Sequence, residues 1–269
     1  MRLSELTRAL VAAGIEEASV EARMLFSKLG GFSTAALLAS DPALDTPTLA
    51  EALRRRTAGE PLAYILGETA FYNELYTVTP AVLIPRSDTE ILVEHAVAKL
   101  PRGAFFADLC TGSGCIAISI LANRPDCTAV ALDLSEDALL VAKGNAERNC
   151  VSDRITLMRQ DVLTPFALPS CDAILSNPPY IPSKTVPTLS REVAREPHTA
   201  LDGGEDGLLF YRTMLTYLPA CLKEGGFLLF EIGYDQEEAI LRLASDASMT
   251  CEVKRDYGGN PRMAILRRV

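Results

Sequence analysis

The stretch that decides the fold runs Ala104-Phe105-Phe106-Ala107-Asp108-Leu109-Cys110-Thr111-Gly112-Ser113-Gly114. Residues 104–108 read as a short buried strand, and 108–114 as a tight turn that opens a helix. Glycine at such a turn lets the backbone adopt positive φ and pass close to a ligand, while the following helix points free N–H groups at it. Asp133 closes the next strand candidate. A carboxylate there can accept both hydroxyls of a ribose, because open α/β sheets bind ligands at the carboxyl ends of their strands.

Outward from this turn the chain alternates strand and helix. The strand candidates are 104–108, 129–134, 155–159, 173–176, 226–232, 250–255 and 263–267, with helical patterns at 135–149, where Ser135 is the expected N-cap, and at 207–221. Such alternation predicts a parallel sheet covered on both faces. The last two strands are separated only by Asp256-Tyr257-Gly258-Gly259-Asn260-Pro261, too short for a helix, so they are expected to pair antiparallel. Toward the N-terminus, Leu3, Leu6, Leu10 and Val11, then Val20, Ala22, Met24, Leu25 and Leu29, recur at helical spacing, and Gly30-Gly31 stops the second run. Two more helices are expected around 35–38 and from Thr46, an N-cap, through Arg56. Between 61 and 84, Tyr64-Ile65-Leu66-Gly67, Ala70-Phe71-Tyr72 and Leu75-Tyr76-Thr77-Val78 read as short extended pieces forming a hairpin. The expected organisation is a helical domain at 1–75, a hairpin and linker at 76–88, and an α/β domain at 89–269.

Composition narrows the function. The 269 residues carry a formal net charge of −9, which argues against a broad grip on nucleic-acid phosphates. The 7 cysteines form no C-x-x-C pair and the 2 histidines are too few for a histidine metal site, so no metal is expected. The first twenty residues mix charged and apolar positions unlike a signal peptide, and no apolar run is long enough to span a membrane. A cytoplasmic monomer is the default expectation.

The glycine loop alone is ambiguous. Gly112-x-Gly114-x-x-Ala117 with a later Asp also fits a dinucleotide fingerprint, and it fits an ordinary turn. Asp108 tilts the balance, since a carboxylate just before the loop repels a pyrophosphate but attracts a cation such as an α-ammonium. Asp161, after the third strand, can accept from an adenine amino group, and Val162 beside it offers an apolar face.

A second motif, Asn177-Pro178-Pro179-Tyr180, follows the fourth strand. Two consecutive prolines remove two N–H donors and fix two φ angles, leaving a stiff segment that presents carbonyls and one Asn side chain. Its complement is a planar NH2 group: Asn177 Oδ1 takes one hydrogen, the Pro178 carbonyl the other, and the Tyr180 ring offers a stacking face. An amide or aryl amine is a poor nucleophile because its lone pair is delocalised. Holding both hydrogens aims that lone pair at an electrophile, and positioning of this kind has a ceiling of ~7–11 kcal/mol. No general base is needed beforehand, since the N–H becomes acidic only after alkylation.

Taken together the chain resembles the HemK/PrmC family of protein-glutamine N5 methyltransferases. The resemblance rests on Pro61-x-x-Tyr64-Ile65-x-Gly67, Ile84-Pro85-Arg86-x-Asp88-Thr89-Glu90, the glycine loop and Asn177-Pro178-Pro179-Tyr180-Ile181. It continues through Glu196-Pro197-x-x-Ala200-Leu201-x-Gly203-Gly204-x-Asp206-Gly207 and Glu231-Ile232-Gly233. It implies an α/β class I S-adenosylmethionine-dependent methyltransferase fold, a seven-stranded Rossmann-like sheet with an antiparallel last hairpin, plus a small helical N-terminal domain that docks the substrate. It further implies methylation of the glutamine in the Gly-Gly-Gln loop of class 1 peptide chain release factors, with S-adenosylhomocysteine as product. Carried over by position, Cys110, Thr111, Gly112, Ser113, Gly114, Asp133, Val162 and Asn177 line the cofactor, and residues 177–180 hold the glutamine. The family pattern has glycine where Cys110 stands. A Cβ there disfavours positive φ, yet with Asp108, Gly112 and Gly114 in place cofactor binding is expected to survive.

Other readings remain beside this one: a glutamine methyltransferase acting on a ribosomal protein, an adenine-N6 or guanine-N2 nucleic-acid methyltransferase, a nicotinamide oxidoreductase, or a docking module. The acidic charge weighs against the nucleic-acid reading. Asp108 and the tetrapeptide have no task in an oxidoreductase, and a docking module needs no cofactor pocket.

Overall fold

The computed structural model describes all residues, Met1–Val269, as two compact units. The first comprises Met1–Glu68 and Ser190–Arg195. Its helices are α1 (Leu3–Ala12), α2 (Ala18–Gly30), α3 (Thr34–Ala39), α4 (Pro47–Thr57) and α5 (Leu62–Leu66). Thr46 caps α4 by accepting from Leu49 N, and Gly31, at φ 69°, ends α2 in the left-handed conformation that glycine takes without strain. Leu3, Leu6, Leu10, Ala22, Leu25, Phe26 and Leu49 form the core. Val11, Val20 and Met24, which recur at the same helical spacing, are exposed. Buried Arg56 on α4 donates to Glu21 on α2 and to Glu192, pinning the 190–195 segment within this unit.

One expectation fails in this half. Residues 64–67 are not extended: Tyr64, Ile65 and Leu66 lie in α5, which Gly67 closes at φ 74°. Ile65 and Leu66 pack on the helical core, so tertiary contact overrides the β preference of Tyr and Ile. By compactness this unit runs to Glu68 and takes in residues 190–195.

The second unit, Thr69–Leu189 with Glu196–Val269, begins with the hairpin β1 (Glu68–Phe71) and β2 (Glu74–Thr77). Then come α6 (Glu90–Lys99), β3 (Phe105–Leu109), α7 (Cys115–Asn123), β4 (Thr128–Asp133), α8 (Glu136–Arg148), β5 (Ile155–Arg159) and β6 (Cys171–Ser176). The chain ends with α9 (Leu209–Leu215), β7 (Leu222–Glu231), α10 (Glu237–Asp246), β8 (Met249–Arg255) and β9 (Pro261–Arg268). The 7-stranded sheet has the order β5-β4-β3-β6-β7-β9-β8, parallel except at β9 and β8. The antiparallel last hairpin is thus present. Ser135 caps α8 through Ala138 N, as read. The helix expected over 207–221 stops at Leu215, and a 3-10 turn at Leu218–Cys221 follows, because Pro219 has no N–H to continue the ladder.

Alternate residues of each central strand face opposite cores, as a period of two requires. Phe106, Ala131, Leu175 and Leu229 pack on the α6–α7 side, whereas Ala107, Leu132, Ile174 and Phe230 pack on the side of α9 and α10. Strand order reverses at β3, whose neighbours are β4 and β6, so the carboxyl ends of these three strands define the switch-point crevice. Register does the rest. Leu109 pairs with both Leu132 and Ser176, and Ser176 Oγ donates to Leu109 O at 2.7 Å. The glycine loop and the Asn177 segment therefore leave the sheet side by side.

Candidate active site

At that crevice lies a cavity of about 420 Å³, within the size range of small-molecule sites. Cys110, Thr111, Gly112, Ser113, Asp133, Asp161, Val162, Asn177 and Pro179 line it. Asp108, Gly114, Pro178 and Tyr180 do not reach its wall; they hold the residues that do.

Asp108 is fully buried behind the loop. Its Oδ2 accepts from Thr111 Oγ1 at 2.6 Å and from Ala117 N at 3.2 Å, and Oδ1 has no partner. Desolvation raises its pKa to about 7, against the pull of those two hydrogen bonds. The loop bends through positive φ at Cys110 (57°), Gly112 (55°) and Gly114 (82°). Cys110 thus adopts the left-handed conformation a glycine would take there, at a cost of roughly 1–2 kcal/mol. A Cβ on Gly114 would meet Ile118 Cδ1 at 2.7 Å and Ala142 Cβ at 3.2 Å, so this glycine also lets α7 and α8 approach.

Asp133 closes β4 with both oxygens engaged: Oδ2 accepts from Gly112 N at 2.8 Å and Oδ1 from Ser135 N at 2.9 Å. Each keeps a free lone pair for a hydroxyl. Asp161 accepts from Leu163 N through Oδ1, which leaves Oδ2 open beside Val162. An apolar wall, two oriented carboxylates and the buried Asp108 carboxyl behind the loop fit a nucleoside that bears an ammonium group. By the chemistry of this donor and acceptor set, S-adenosylmethionine fits.

On the opposite wall, the bonds at both prolines of the tetrapeptide are trans. Asn177 Nδ2 donates to Thr89 Oγ1 at 3.2 Å, while no protein group donates to Oδ1 or to the Pro178 carbonyl. Thr89 in turn donates to Glu231 Oε2 at 2.6 Å. The Tyr180 hydroxyl donates to Glu231 Oε1 at 3.3 Å, and its ring packs beside the Ile232–Ile240 core. Tyr180 is therefore held as a support and does not form part of the cavity lining.

The sequence singled out the blocks at 84–90, 196–197 and 231 without giving their residues tasks. Glu196 accepts from Ile84 N at 2.9 Å and pairs with Arg86, which lines the cavity. Glu90 accepts from Tyr72 N at 2.8 Å. An acidic residue closing the apolar strand Phe227–Phe230 was the signal available for Glu231.

Fold and cavity together define a methyltransferase. A family model described as Methyltransferase small domain matches residues 87–226, and one described as PrmC N-terminal domain matches 3–67. The Release factor glutamine methyltransferase of Moorella thermoacetica is 40% identical, covering 99% of this chain and 97% of that protein. That of Cereibacter sphaeroides is 40% identical with 99% of each covered. A methyltransferase structure from Pyrococcus furiosus shares the fold, with a TM-score of 0.54 and 17% identity over 71% of this chain and 86% of that one. The chain belongs to the release factor glutamine methyltransferase family, as the motifs implied. No helix is long and apolar enough to cross a membrane.

Proposed function

We propose that this protein transfers a methyl group from S-adenosylmethionine to the side-chain amide nitrogen, N5, of the glutamine in the Gly-Gly-Gln loop of class 1 peptide chain release factors. One observation carries the reading. Asn177 turns its NH2 toward Thr89, which leaves Oδ1 and the neighbouring Pro178 carbonyl as two unclaimed acceptors.

When bound, S-adenosylmethionine supplies a sulfonium methyl and leaves as S-adenosylhomocysteine. The chain's own residues do the rest. Asp133 and Asp161 would hold the cofactor's hydroxyl and amino groups at the carboxyl ends of the strands, and the Thr111–Ser113 turn lies in front of the buried Asp108 carboxyl. Asn177 Oδ1 takes one amide hydrogen at the cavity wall, and the Pro178 carbonyl, set just behind that wall, is the acceptor proposed for the other, so that the nitrogen lone pair is aimed across the cavity. With the methyl passed to nitrogen and S-adenosylhomocysteine leaving, the nitrogen would become acidic and would give up one proton to solvent. Alignment of this kind is the main catalytic contribution.

The helical unit, read from sequence as 1–75, is the proposed docking element for the release factor. Val11 and Leu38, 61% and 70% exposed, give it apolar contact surface. Mass spectrometry of release factors after incubation with enzyme and donor tests the whole reading. One added methyl on the Gly-Gly-Gln peptide, absent from a glutamine-substituted control, is the expected result. A methyl on a ribosomal protein or on RNA, with none on release factors, overturns it.

A further inference from the structure

Asn177 serves the proposed reaction in only one of its two amide orientations. With Oδ1 toward the cavity it accepts a substrate N–H; flipped, it presents a donor to a donor. Local geometry does not choose between them, because the two ends of a carboxamide have nearly the same shape. We infer that Thr89 and Glu231 are positioning residues that set this choice through a two-link hydrogen-bond relay, and so restrict the substrate to a neutral NH2 donor. The inference rests on the function proposed above.

The relay is read from its buried end. Glu231 is 1% exposed at the end of β7 and accepts two hydroxyl hydrogens, from Thr89 on Oε2 and from Tyr180 on Oε1. A threonine hydroxyl has a single hydrogen. Once that hydrogen is committed to the carboxylate, Thr89 Oγ1 can only accept, and the group facing it at 3.2 Å must be the Asn177 NH2. A flipped amide would set Oδ1 against Oγ1, two acceptors facing each other in a partly buried place, which loses the hydrogen bond and adds repulsion. The polarity of the buried carboxylate thus passes to Asn177 Oδ1 at the cavity. A side-chain carboxylate in the glutamine's place would meet Oδ1 and the Pro178 carbonyl with no hydrogen to give.

Protonating Glu231 would reverse the relay. The acid would donate to Thr89, Thr89 would donate to Asn177, and the amide would flip. Arg262 on β9, itself paired with Asp88 and Asp256, faces Glu231 together with Asp88 and the Tyr180 hydroxyl. Tyr211 donates to the Glu231 main-chain oxygen at 2.7 Å. Burial raises the Glu231 pKa to about 7, opposed by Thr89, Arg262 and Tyr180. The reversal therefore falls near neutrality, where the substrate amide does not titrate.

The test measures kcat, KM and cofactor Kd on a release factor for four variants of the full chain. Thr89→Val should lower kcat about 10- to 100-fold with cofactor Kd unchanged, and Thr89→Ser should restore most of it. At saturating cofactor the wild-type rate should fall on the acid side of about pH 7. Glu231→Gln, which can still accept from Thr89 but cannot ionise, should lose that limb. Unchanged kcat in Thr89→Val, failure of Thr89→Ser to improve on it, or the same acid limb in Glu231→Gln would overturn the relay. Asn177→Ala separates the two levels. If the wild type does not methylate the release factor, the proposed function fails; if Asn177→Ala retains turnover, the amide clamp and the relay that serves it fail while the activity stands; if both behave as expected and Thr89→Val is normal, only the relay fails.

Discussion

The glycine loop and the Asn177 segment leave neighbouring strands at paired residues, Leu109 and Ser176, yet they are shaped in opposite ways. The loop is made by its own backbone. Three positive φ angles within five residues bend it, and the groups that pin it, Asp108 and Asp133, sit at the ends of its own strand and the next. The tetrapeptide is stiffened locally by its prolines, but its chemistry is set from far away. Thr89 lies 88 residues from Asn177, and Glu231 lies 142 from Thr89. A site built locally tolerates little change in the backbone. A site built remotely fails when a distant hydrogen bond is lost, even with the backbone intact.

The largest expected effect separates the two regions outright. Asn177→Ala should reduce methyl transfer by about 100-fold or more, the scale of removing an aimed hydrogen-bonding group, while calorimetry finds cofactor affinity mostly kept. Equal losses in both would show that the two walls are not separable. Gly114→Ala should break the loop instead. The added Cβ needs a φ of 82° and meets Ile118 Cδ1 at 2.7 Å, a combination expected to cost about 2–4 kcal/mol in urea unfolding. It should weaken cofactor binding in parallel, and an unaffected Kd would show that the cofactor does not depend on this turn.

A smaller effect concerns pH. The pKa of Asp108 is raised to about 7 in the folded chain, against an ordinary value of 3.8. Its contribution to stability is therefore fully present below that ordinary value and is lost as pH rises through about 7. The unfolding midpoint of the cofactor-free protein should accordingly rise between pH 8 and pH 6, and Asp108→Asn should flatten that slope. An unchanged slope would assign it to Glu231, the other buried carboxylate raised to about 7. The smallest effect is expected from Cys110→Gly. Relief of the left-handed strain, roughly 1–2 kcal/mol, exceeds the entropic cost of glycine, roughly 0.5–1 kcal/mol. A net gain of up to about 1 kcal/mol should follow. A clear loss would show that packing of the Cys110 side chain beside Ser176 matters more than its backbone angle.

Much of this was legible in the sequence where the signal is local. Strand limits read from apolar runs fall within a few residues of those observed, with 155–159 matching at both ends. The short 256–261 link forces the antiparallel hairpin. The loop residues are visible because glycine and strand-end carboxylates mark their own positions. Misreadings arose where a neighbour in space, or a single proline, outweighed the local pattern. Ile65 and Leu66 became helix against the helical core, and Pro219 ended a pattern that periodicity alone would extend.

The sequence by itself determined the α/β alternation, the glycine turn, the acidic strand ends and the acceptor-rich tetrapeptide, because each depends on bonds and angles within a few residues. Only the tertiary structure decided that Asp108 and Tyr180 stand behind the cavity instead of lining it. It alone joined Glu196 to Arg86, and Glu231 through Thr89 to Asn177. Those links depend on which strand ends the sheet brings together, and a hydrogen bond across more than a hundred residues leaves no periodicity in the chain to read.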